Sequence, residues 1–299
     1  YSSAASDVYK RQLDDVLEEK RLALGRSDLL EYCPTAADPS EIGGLNQLKT
    51  WLDRRRMAFS AEAHAYGLPH PRGVLLVGPQ GTGKSLTAKA IAHSWGMPLL
   101  RLDLGRLFAG LVGASEARTR DMIGTAEAMA PCILWIDEID KGFSLDGRSD
   151  GGTGQRVLAT LLTWMAEKDT PVFVMATANA IDQLPPELLR KGRFDEIFVL
   201  DLPDASERRD ILALHLRKRR PQHQVQLDTL VDRTSGYSGA ELEQVVLEGM
   251  LNAFSEGREF GEADLISAAA DLVPLSRTAR EQLEALQQWA SEGRARPAR

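Results

Sequence analysis

The feature that most constrains the fold of this sequence is an eight-residue segment, GPQGTGKS, at positions 78–85. It follows a largely apolar run of strand length, Gly73–Val77, and precedes a stretch with helical spacing of apolar residues, 85–95. Glycine allows the backbone to turn tightly and to approach a ligand closely. A strand, a glycine-rich loop and a helix in this order present backbone N–H groups to an anion, so the sequence predicts a phosphate-binding loop.

Four positions of this loop meet the pattern GxxxxGK[ST], namely Gly78, Gly83, Lys84 and Ser85. The remaining members of the predicted nucleotide-binding loop are Pro79, Gln80, Gly81 and Thr82. We expect Lys84 to reach the β- and γ-phosphates and the Ser85 hydroxyl to complete a Mg²⁺ shell. The alternative is a glycine-rich turn with an incidental lysine, and the flanking strand and helix weigh against it.

Two acids and an amide follow later apolar runs. Asp137 and Glu138 come directly after the run 133–136, and Asn179 comes shortly after the run 172–176. We expect Asp137 to hold Mg²⁺, Glu138 to polarise the attacking water, and Asn179 to position that water or sense the γ-phosphate. Without the phosphate loop these residues would be weak evidence, because acids often end strands and asparagine is a common turn residue. The phosphate loop strengthens the functional interpretation.

Similar apolar runs occur at 73–77, 99–104, 133–136, 172–176 and 197–200, with helical patterns between most of them. Such runs are typical of strands buried on both faces, so we predict an α/β fold with a parallel sheet covered by helices on each side. Beyond Pro203 we find no convincing strand, and helical patterns at 207–218, 240–254, 262–271 and 277–290 indicate a small all-helical domain followed by a terminal helix. The tail after Gly293 is expected to be frayed.

The N-terminal part is less regular. Residues 13–24 have the spacing of a short amphipathic helix, and a connector with prolines and glycines leads to a second helical stretch at 45–65. Residues 1–12 include SDVYKRQ, which resembles the translation of a sequencing-library adapter. We expect a read artefact there, with the authentic sequence starting near Leu13 and extending further upstream. A native polar N-terminus is the alternative.

Composition excludes several classes of protein. A formal net charge of −7 argues against a protein that coats nucleic acid, and the basic run 217–220 is interpreted as a solvated helix end, with nucleic-acid contact as the alternative. Two cysteines, Cys33 and Cys132, make a disulfide framework improbable and favour a reducing compartment. The five histidines lack zinc-site spacing, and no run reaches the ~18 apolar residues of a membrane span. We therefore expect a cytoplasmic protein without a membrane partner.

Arg190 and Arg193 flank Lys191 and Gly192 in the segment 184–195. They are interpreted either as surface charges or as arginine fingers that reach the γ-phosphate of a neighbouring subunit.

The ordered segments GPQGTGKS, ILWIDEID, ATANAID, LLRKGRFD and GYSGAEL resemble the AAA ATPases over residues 41 to 274. The resemblance implies an N-terminal helix and connector at 13–40, a RecA-like large ATPase domain at 41–203, a helical lid at 204–275, and a C-terminal helix and tail at 276–299. It further implies ATP and Mg²⁺ bound at an interface within a homo-oligomeric ring, usually a hexamer.

The resemblance also implies roles for particular residues. Asn179 corresponds to the first sensor, and Arg190 and Arg193 correspond to arginine fingers that act in trans. Ile42 and Gly43 match the segment whose backbone recognises adenine, and Gly239 and Ala240 begin the lid helix over the nucleotide.

A narrower similarity is carried by RLDLGRLFAGLVGASEAR, APCILWIDEIDKGF and EQLEALQQWASEGRAR. These segments are similar to AAA ATPases of cyanobacteria and algal plastids, which carry an additional N-terminal domain. The similarity implies a longer protein and, for an algal source, a location in the plastid stroma.

The sequence departs from protein-threading AAA rings at the loop expected to face the central pore. Those rings usually offer an aromatic residue, a hydrophobic residue and glycine, whereas this chain has Leu111, Val112 and Gly113, with Phe108 three positions earlier. Residues 144–154 are the expected second pore-facing loop.

We predict an ATP-driven remodeller of protein substrates. A nucleic-acid loader or helicase-like motor and a nucleotide-dependent regulatory scaffold remain as alternatives.

Overall fold

A computed structural model describes residues 28–34, 43–108, 114–144 and 153–299. Several predictions fall outside these ranges: the suspected artefact at 1–12, the helix at 13–24, Ile42, the triplet Leu111-Val112-Gly113 and most of the loop at 144–154. Within the described ranges, none of the helices combines the length and apolar character that a bilayer crossing requires.

The centre of the fold is one seven-stranded sheet. In chain order its strands are β1 (Leu30–Cys33), β2 (Gly73–Val77), β3 (Leu99–Leu102), β4 (Cys132–Ile136), β5 (Val172–Ala178), β6 (Glu196–Val199) and β7 (Arg296–Pro297). Their spatial order is β1-β3-β4-β5-β2-β6-β7, and all pairs are parallel except β1 with β3. After β2 the chain moves to one side of the sheet and later returns to the other, so the carboxyl ends of β2 and β5 lie at a topological switch point.

Alternate residues of the central strands enter two separate apolar cores. On one face, Leu75, Leu134 and Val174 pack in the cluster that also includes the helix residue Met165. On the opposite face, Val74, Leu76 and Phe173 pack in the cluster that includes Trp51 and Trp95. Because both faces are covered, the strands can be apolar throughout, and the predicted α/β class with helices on both sides is confirmed.

The helices of the large domain are α1 (Asn46–Met57), α2 (Ala61–Ala65), α3 (Lys84–Trp95), α4 (Leu104–Phe108), α5 (Ala114–Ala128), α6 (Ile139–Ser144) and α7 (Thr153–Glu167). The all-helical part contains α8 (Ala205–Arg219), α9 (Asp228–Arg233), α10 (Gly239–Ser255) and α11 (Glu262–Asp271) around its own apolar core. After α12 (Leu275–Thr278), α13 (Arg280–Ser291) returns to the sheet, where Leu286 and Trp289 join the first core.

Several elements differ from the sequence-based predictions. The single helical stretch expected at 45–65 is divided into α1 and α2. The expected connector before residue 41 contains the edge strand β1, and helix α9 had no predicted counterpart. The expectation of a frayed tail after Gly293 is wrong, because β7 pairs with β6 and Ala298 is buried. The Ala298 N–H donates to the Val199 carbonyl, and its own carbonyl accepts from Leu48 N, both at 3.0 Å. These contacts supply a partner for an N–H group in the first turn of α1.

Candidate functional site

The phosphate loop leaves β2 and enters α3 through two glycines with left-handed backbone. Gly81 has φ +78° and Gly83 has φ +88°, conformations that side chains with a Cβ rarely adopt. The Thr82 hydroxyl donates to the Pro79 carbonyl at 2.9 Å and closes the turn. Helix α3 begins at Lys84, so its unpaired N–H groups and positive dipole end lie at the loop, as an anion site requires.

Lys84 lies within the loop rather than in solvent. Its side chain is buried, and Nζ donates to the carbonyl oxygens of Gly78 and Pro79, each at 2.6 Å. Burial lowers the pKa of Lys84 to about 8, and the acids Asp140, Asp137 and Glu138 oppose this shift. A phosphate group would offer the ammonium a full negative charge in place of carbonyl dipoles, so Lys84 is placed to exchange these partners for a phosphate.

The two predicted metal-binding groups lie together. The Ser85 hydroxyl is 3.3 Å from Asp137 Oδ1, and the same oxygen accepts a 2.7 Å hydrogen bond from the Thr177 hydroxyl. Arg101 Nη2 lies 3.7 Å from the other oxygen of Asp137 and its guanidinium stacks over the Trp135 ring. A hydroxyl and a carboxylate are hard oxygen donors, and Mg²⁺ commonly takes only one or two protein ligands beside water and phosphate. The donor set therefore fits Mg²⁺.

Glu138 sits at the carboxyl end of β4 in an unusual backbone conformation, with φ +49°. Its N–H donates to the hydroxyl of Thr177 at 2.9 Å. One carboxylate oxygen, Oε1, accepts from Asn179 Nδ2 at 2.9 Å, and the other, Oε2, accepts from Lys141 Nζ at 2.6 Å. The Lys141 hydrogen bond is the main cause that lowers the pKa of Glu138; burial opposes it and Asn179 adds to it. The carboxylate is thus ionised and held from two sides.

A buried acid, Asp140, fixes the backbone of Asn179 in place. Asp140 Oδ2 accepts hydrogen bonds from the backbone N–H groups of Asn179 and Ala180, both at 3.1 Å. This contact ties the end of β5 to helix α6. The structure therefore places Asp137, Glu138 and Asn179 at the same edge of the sheet as the phosphate loop.

A cleft of about 340 Å³ separates this edge from the helical part. Its walls include the loop residues 80–85, both acids and Asn179, together with Gly43, Leu45, Ile211, Leu214, His215, Gly239 and Ala240. Ala240 N donates to the Gly81 carbonyl at 3.1 Å, so the start of α10 touches the phosphate loop directly. Apolar side chains from α8 and a glycine backbone form the part of the cleft away from the acids, which suits a flat aromatic base.

The two arginines of the segment 184–195, Arg190 and Arg193, lie outside the cleft. Asp195 N donates to Gly73 O at 2.9 Å, and Asp195 Oδ2 accepts from Arg72 N at 2.8 Å, so this segment is fixed to the amino end of β2. The phosphate loop leaves the carboxyl end of β2, about 17 Å away along a five-residue strand. Neither Arg190 nor Arg193 lines the cleft of its own chain. Arg193 Nη1 is buried without a hydrogen-bond partner among the described residues.

Sequence reasoning missed several residues that the structure brings to the site. Thr177 lies in the segment ATANAID and Lys141 in the segment APCILWIDEIDKGF, but the resemblance assigns neither residue a role. His215, for which the sequence indicates only the lack of zinc-site spacing, lines the cleft and belongs to a network with Arg219 and Glu243. The residues that form these contacts are 24 to 41 positions apart in several cases, so spacing alone could not reveal them. Among the described residues, no group of three or more His, Cys, Asp or Glu side chains is placed to hold a metal ion.

Two protein-family models match the chain. One is the ATPase family associated with various cellular activities (AAA), at residues 74–202, and the other is the AAA+ lid domain, at residues 224–267. The boundary between them falls where the structure changes from the sheet to the helical part.

Curated relatives support the same assignment. An uncharacterised AAA domain-containing protein, ycf46, of Pyropia yezoensis is 53% identical over 296 residues, which cover 98% of this chain and 60% of the relative. The ycf46 protein of Guillardia theta is 51% identical over 293 residues, or 97% of this chain and 58% of the relative. The ATP-dependent zinc metalloprotease FtsH of Thermus thermophilus is 40% identical over 215 residues, or 70% of this chain and 34% of that protein. The chain thus spans about 60% of the length of the ycf46 relatives.

Proposed function

The chain belongs to the AAA family of ATPases, and from this premise we propose that it binds ATP with Mg²⁺ in the cleft and hydrolyses it to remodel protein substrates. We further propose that it works as a homo-oligomeric ring, hexameric as is common in the family. The observation that carries the hydrolytic part of the proposal is the convergence of Lys84, Asp137, Glu138 and Asn179 on one end of one cleft.

The proposed binding step uses the phosphate loop. Backbone N–H groups of the loop and of the first turn of α3 hold the phosphates, and Lys84 exchanges its two carbonyl partners for β- and γ-phosphate oxygens. Ser85 and Asp137 would hold Mg²⁺, which neutralises negative charge on the phosphates. Gly43 and Leu45 on one side and Ile211 on the other would enclose the base.

The proposed chemical step belongs to Glu138 and Asn179. Glu138 accepts a proton from a water molecule while the oxygen of that water forms a bond to the γ-phosphorus. The bond from the γ-phosphorus to its bridging oxygen breaks, and the electron pair leaves with ADP. Asn179 lies 2.9 Å from Glu138 through its amide nitrogen, so its side chain can orient both the carboxylate and the water.

The position of the arginines supports a site shared between two chains. Arg190 and Arg193 do not line the cleft of their own chain, and Asp195 is tied to the amino end of β2, so we expect a cleft to receive the arginines from another copy of the chain. Arg193 Nη1 is buried and has no acceptor among the described residues, and a turn of the side chain outward would let a phosphate of the neighbour supply one. A head-to-tail contact of this kind forms a ring when its rotation closes, which is the assembly that we propose.

Work on a polypeptide is the substrate class that the relatives favour. FtsH is an ATP-dependent metalloprotease, and the matched portion is about a third of its length. We place the protein in the cytoplasm, or in the plastid stroma for an algal source, where free cysteines such as Cys33 and Cys132 remain reduced.

Three variants test hydrolysis. Glu138→Gln should bind ATP with the parental affinity and lose turnover, because the amide cannot accept the proton of water. Glu281→Gln, an exposed residue of α13 far from the cleft, is the matched control and should hydrolyse ATP normally. Parental turnover in Glu138→Gln would contradict the assignment of the catalytic carboxylate. A pull-down with Glu138→Gln in ATP should retain polypeptides that a Lys84→Ala variant does not.

Complementation tests the shared site. Lys84→Ala removes phosphate binding but leaves the arginines, whereas Arg193→Ala leaves phosphate binding and removes an arginine. Each variant alone should be inactive, and an equal mixture should regain activity at about a quarter of the sites if rings mix at random. A mixture as inactive as its components, shown by cross-linking to contain mixed rings, would argue against arginines that act in trans.

A further inference from the structure

A second cleft lies on the other side of the two acids. It has a volume of about 340 Å³ and is lined by residues of β3, α4 and α6, including Arg101, Asp103, Phe108, Lys141 and Gly142. We call it the β3 cleft. Asp137 and Glu138 line both the β3 cleft and the nucleotide cleft, so they form the wall between the two.

The two hydrogen bonds of the Glu138 carboxylate point to different clefts. Asn179, which holds Oε1, lines the nucleotide cleft and not the β3 cleft. Lys141, which holds Oε2, lines the β3 cleft and not the nucleotide cleft. One carboxylate oxygen is therefore held at the site where water would react. The other is held at a neighbouring cleft that plays no part in the proposed chemistry.

Lys141 itself is held by the packing of its helix. Gly142, the next residue, lies so close to α4 that a Cβ atom there would be 2.9 Å from Phe108 Cε2 and 3.2 Å from Leu104 Cδ1. The backbone of α6 is thus fixed against α4, and Lys141 N also donates to Glu138 O at 2.9 Å. The ammonium group can reach Oε2 without rearrangement of the helix.

We propose that Lys141 is a positioning residue that restrains the catalytic carboxylate, holding one oxygen of Glu138 toward the β3 cleft and so lowering the rate of ATP hydrolysis. The inference rests on the proposed function of Glu138. For the carboxylate to turn fully toward the nucleotide cleft, the 2.6 Å bond to Lys141 must break.

The size of the expected change in kcat follows from the solvent exposure of Lys141 and Glu138. The side chains of Lys141 and Glu138 are 60% and 34% exposed, so water screens the pair and competes for both partners. Exposed ion pairs of this kind change an equilibrium by about two- to five-fold. We therefore expect Lys141→Met to raise kcat about two- to five-fold, with KM for ATP and the affinity for a fluorescent ATP analogue unchanged.

Lys141→Arg keeps the cation and should keep the parental kcat, which separates the ion pair from a loss of packing. Arg106→Ala is the matched control, because it removes another exposed cation whose i,i+3 partner, Asp103, lines the β3 cleft and which does not contact Glu138. It should not raise kcat. In a Glu138→Gln background, Lys141→Met should give no gain.

A kcat for Lys141→Met at or below the parental value would overturn the restraint, as would an equal gain in Lys141→Arg or Arg106→Ala. If the parental protein hydrolyses ATP and Glu138→Gln does not, such results refute the role of Lys141 alone. If the assembled parental protein shows no turnover, the proposed function fails as well.

Discussion

Thr177 offers a sharp test of how the site is held, because its single hydroxyl supports both acids. The side chain is fully buried, accepts from Glu138 N at 2.9 Å and donates to Asp137 Oδ1 at 2.7 Å. Thr177→Val replaces the hydroxyl with a methyl group of similar size. The change therefore creates no cavity and removes only the two hydrogen bonds.

The expected loss of stability comes from the hydrogen-bonding groups of Glu138 and Asp137 that remain without the hydroxyl. A buried donor without a partner costs about 1–3 kcal/mol, and a hydrogen bond to a charged group contributes about 1.5–3 kcal/mol. Asp137 retains some exposure, so water recovers part of the second contribution. We expect the free energy of unfolding to fall by about 2–3 kcal/mol. Glu138 also occupies a left-handed conformation that costs ~1–2 kcal/mol and is held by the lost bond.

Loss of the hydrogen bond from Glu138 N to the Thr177 hydroxyl should allow the Glu138 carboxylate to move from its position. A loss of about 1.4–2.8 kcal/mol in transition-state stabilisation corresponds to a kcat lower by about 10- to 100-fold. KM for ATP should change less than kcat, because the phosphate loop is untouched and only the Asp137 side of the Mg²⁺ site loses a hydrogen bond. Steady-state ATPase assays and urea unfolding of Thr177→Val and Thr177→Ser measure both effects, and Thr177→Ser should retain most of kcat because it retains the hydroxyl. A kcat within two-fold of the parental value for Thr177→Val would refute the reasoning.

Three other changes have defined outcomes. Gly81→Ala should weaken nucleotide binding at least ten-fold, as measured by titration with a fluorescent ATP analogue, since its Cβ would lie 2.9 Å from Ser238 Oγ in a backbone with φ +78°; binding at parental affinity would contradict the contact between loop and lid. Burial lowers the pKa of Lys168 to about 8 from 10.5, so the unfolded chain binds more protons between these pH values and parental stability rises across them. Lys168→Met should therefore be about 1–3 kcal/mol more stable than the parental protein at pH 7, and its advantage in urea unfolding should shrink as pH rises from 8 to 10. Tyr237→Phe should destabilise the lid by ~1–2 kcal/mol in thermal unfolding, because the hydroxyl lies within 2.9 Å of the Ala269 and Leu272 carbonyls; an unchanged melting temperature would show that water replaces it.

The central sheet was predictable because its strands are buried on both faces. A run such as Val74-Leu75-Leu76-Val77 can be explained only by apolar partners on each side. The edge strands were not predictable in this way. β1 has four residues with a glutamate among them, and β7 has two exposed residues, one of them proline. Their pairing depends on neighbours that are remote in the sequence.

In the candidate site, too, some residues were predictable from the sequence and others were not. Glycines and a lysine at fixed spacing identify a phosphate loop because local backbone geometry demands them. Thr177 and Lys141 lie within segments of the family resemblance, but a threonine at the end of an apolar strand and a lysine on a short helix are ordinary residues there and indicate no role by themselves. Only the register of β4 beside β5, which aligns Ile136 with Ala176, brings Thr177 to the acids. The register is a property of the folded sheet and not of either segment alone.

The return of the C-terminal segment to the sheet has a mechanical consequence for the helical part. Residues 204–275 leave the sheet after β6 and come back through α13 and β7, which pairs with that same strand. A body joined to another by one flexible chain has three rotational degrees of freedom, whereas two anchors leave mainly rotation about the line between them. Movement of the helical part would then open the cleft along a single arc, and the start of α10 would leave and rejoin Gly81 along the same path.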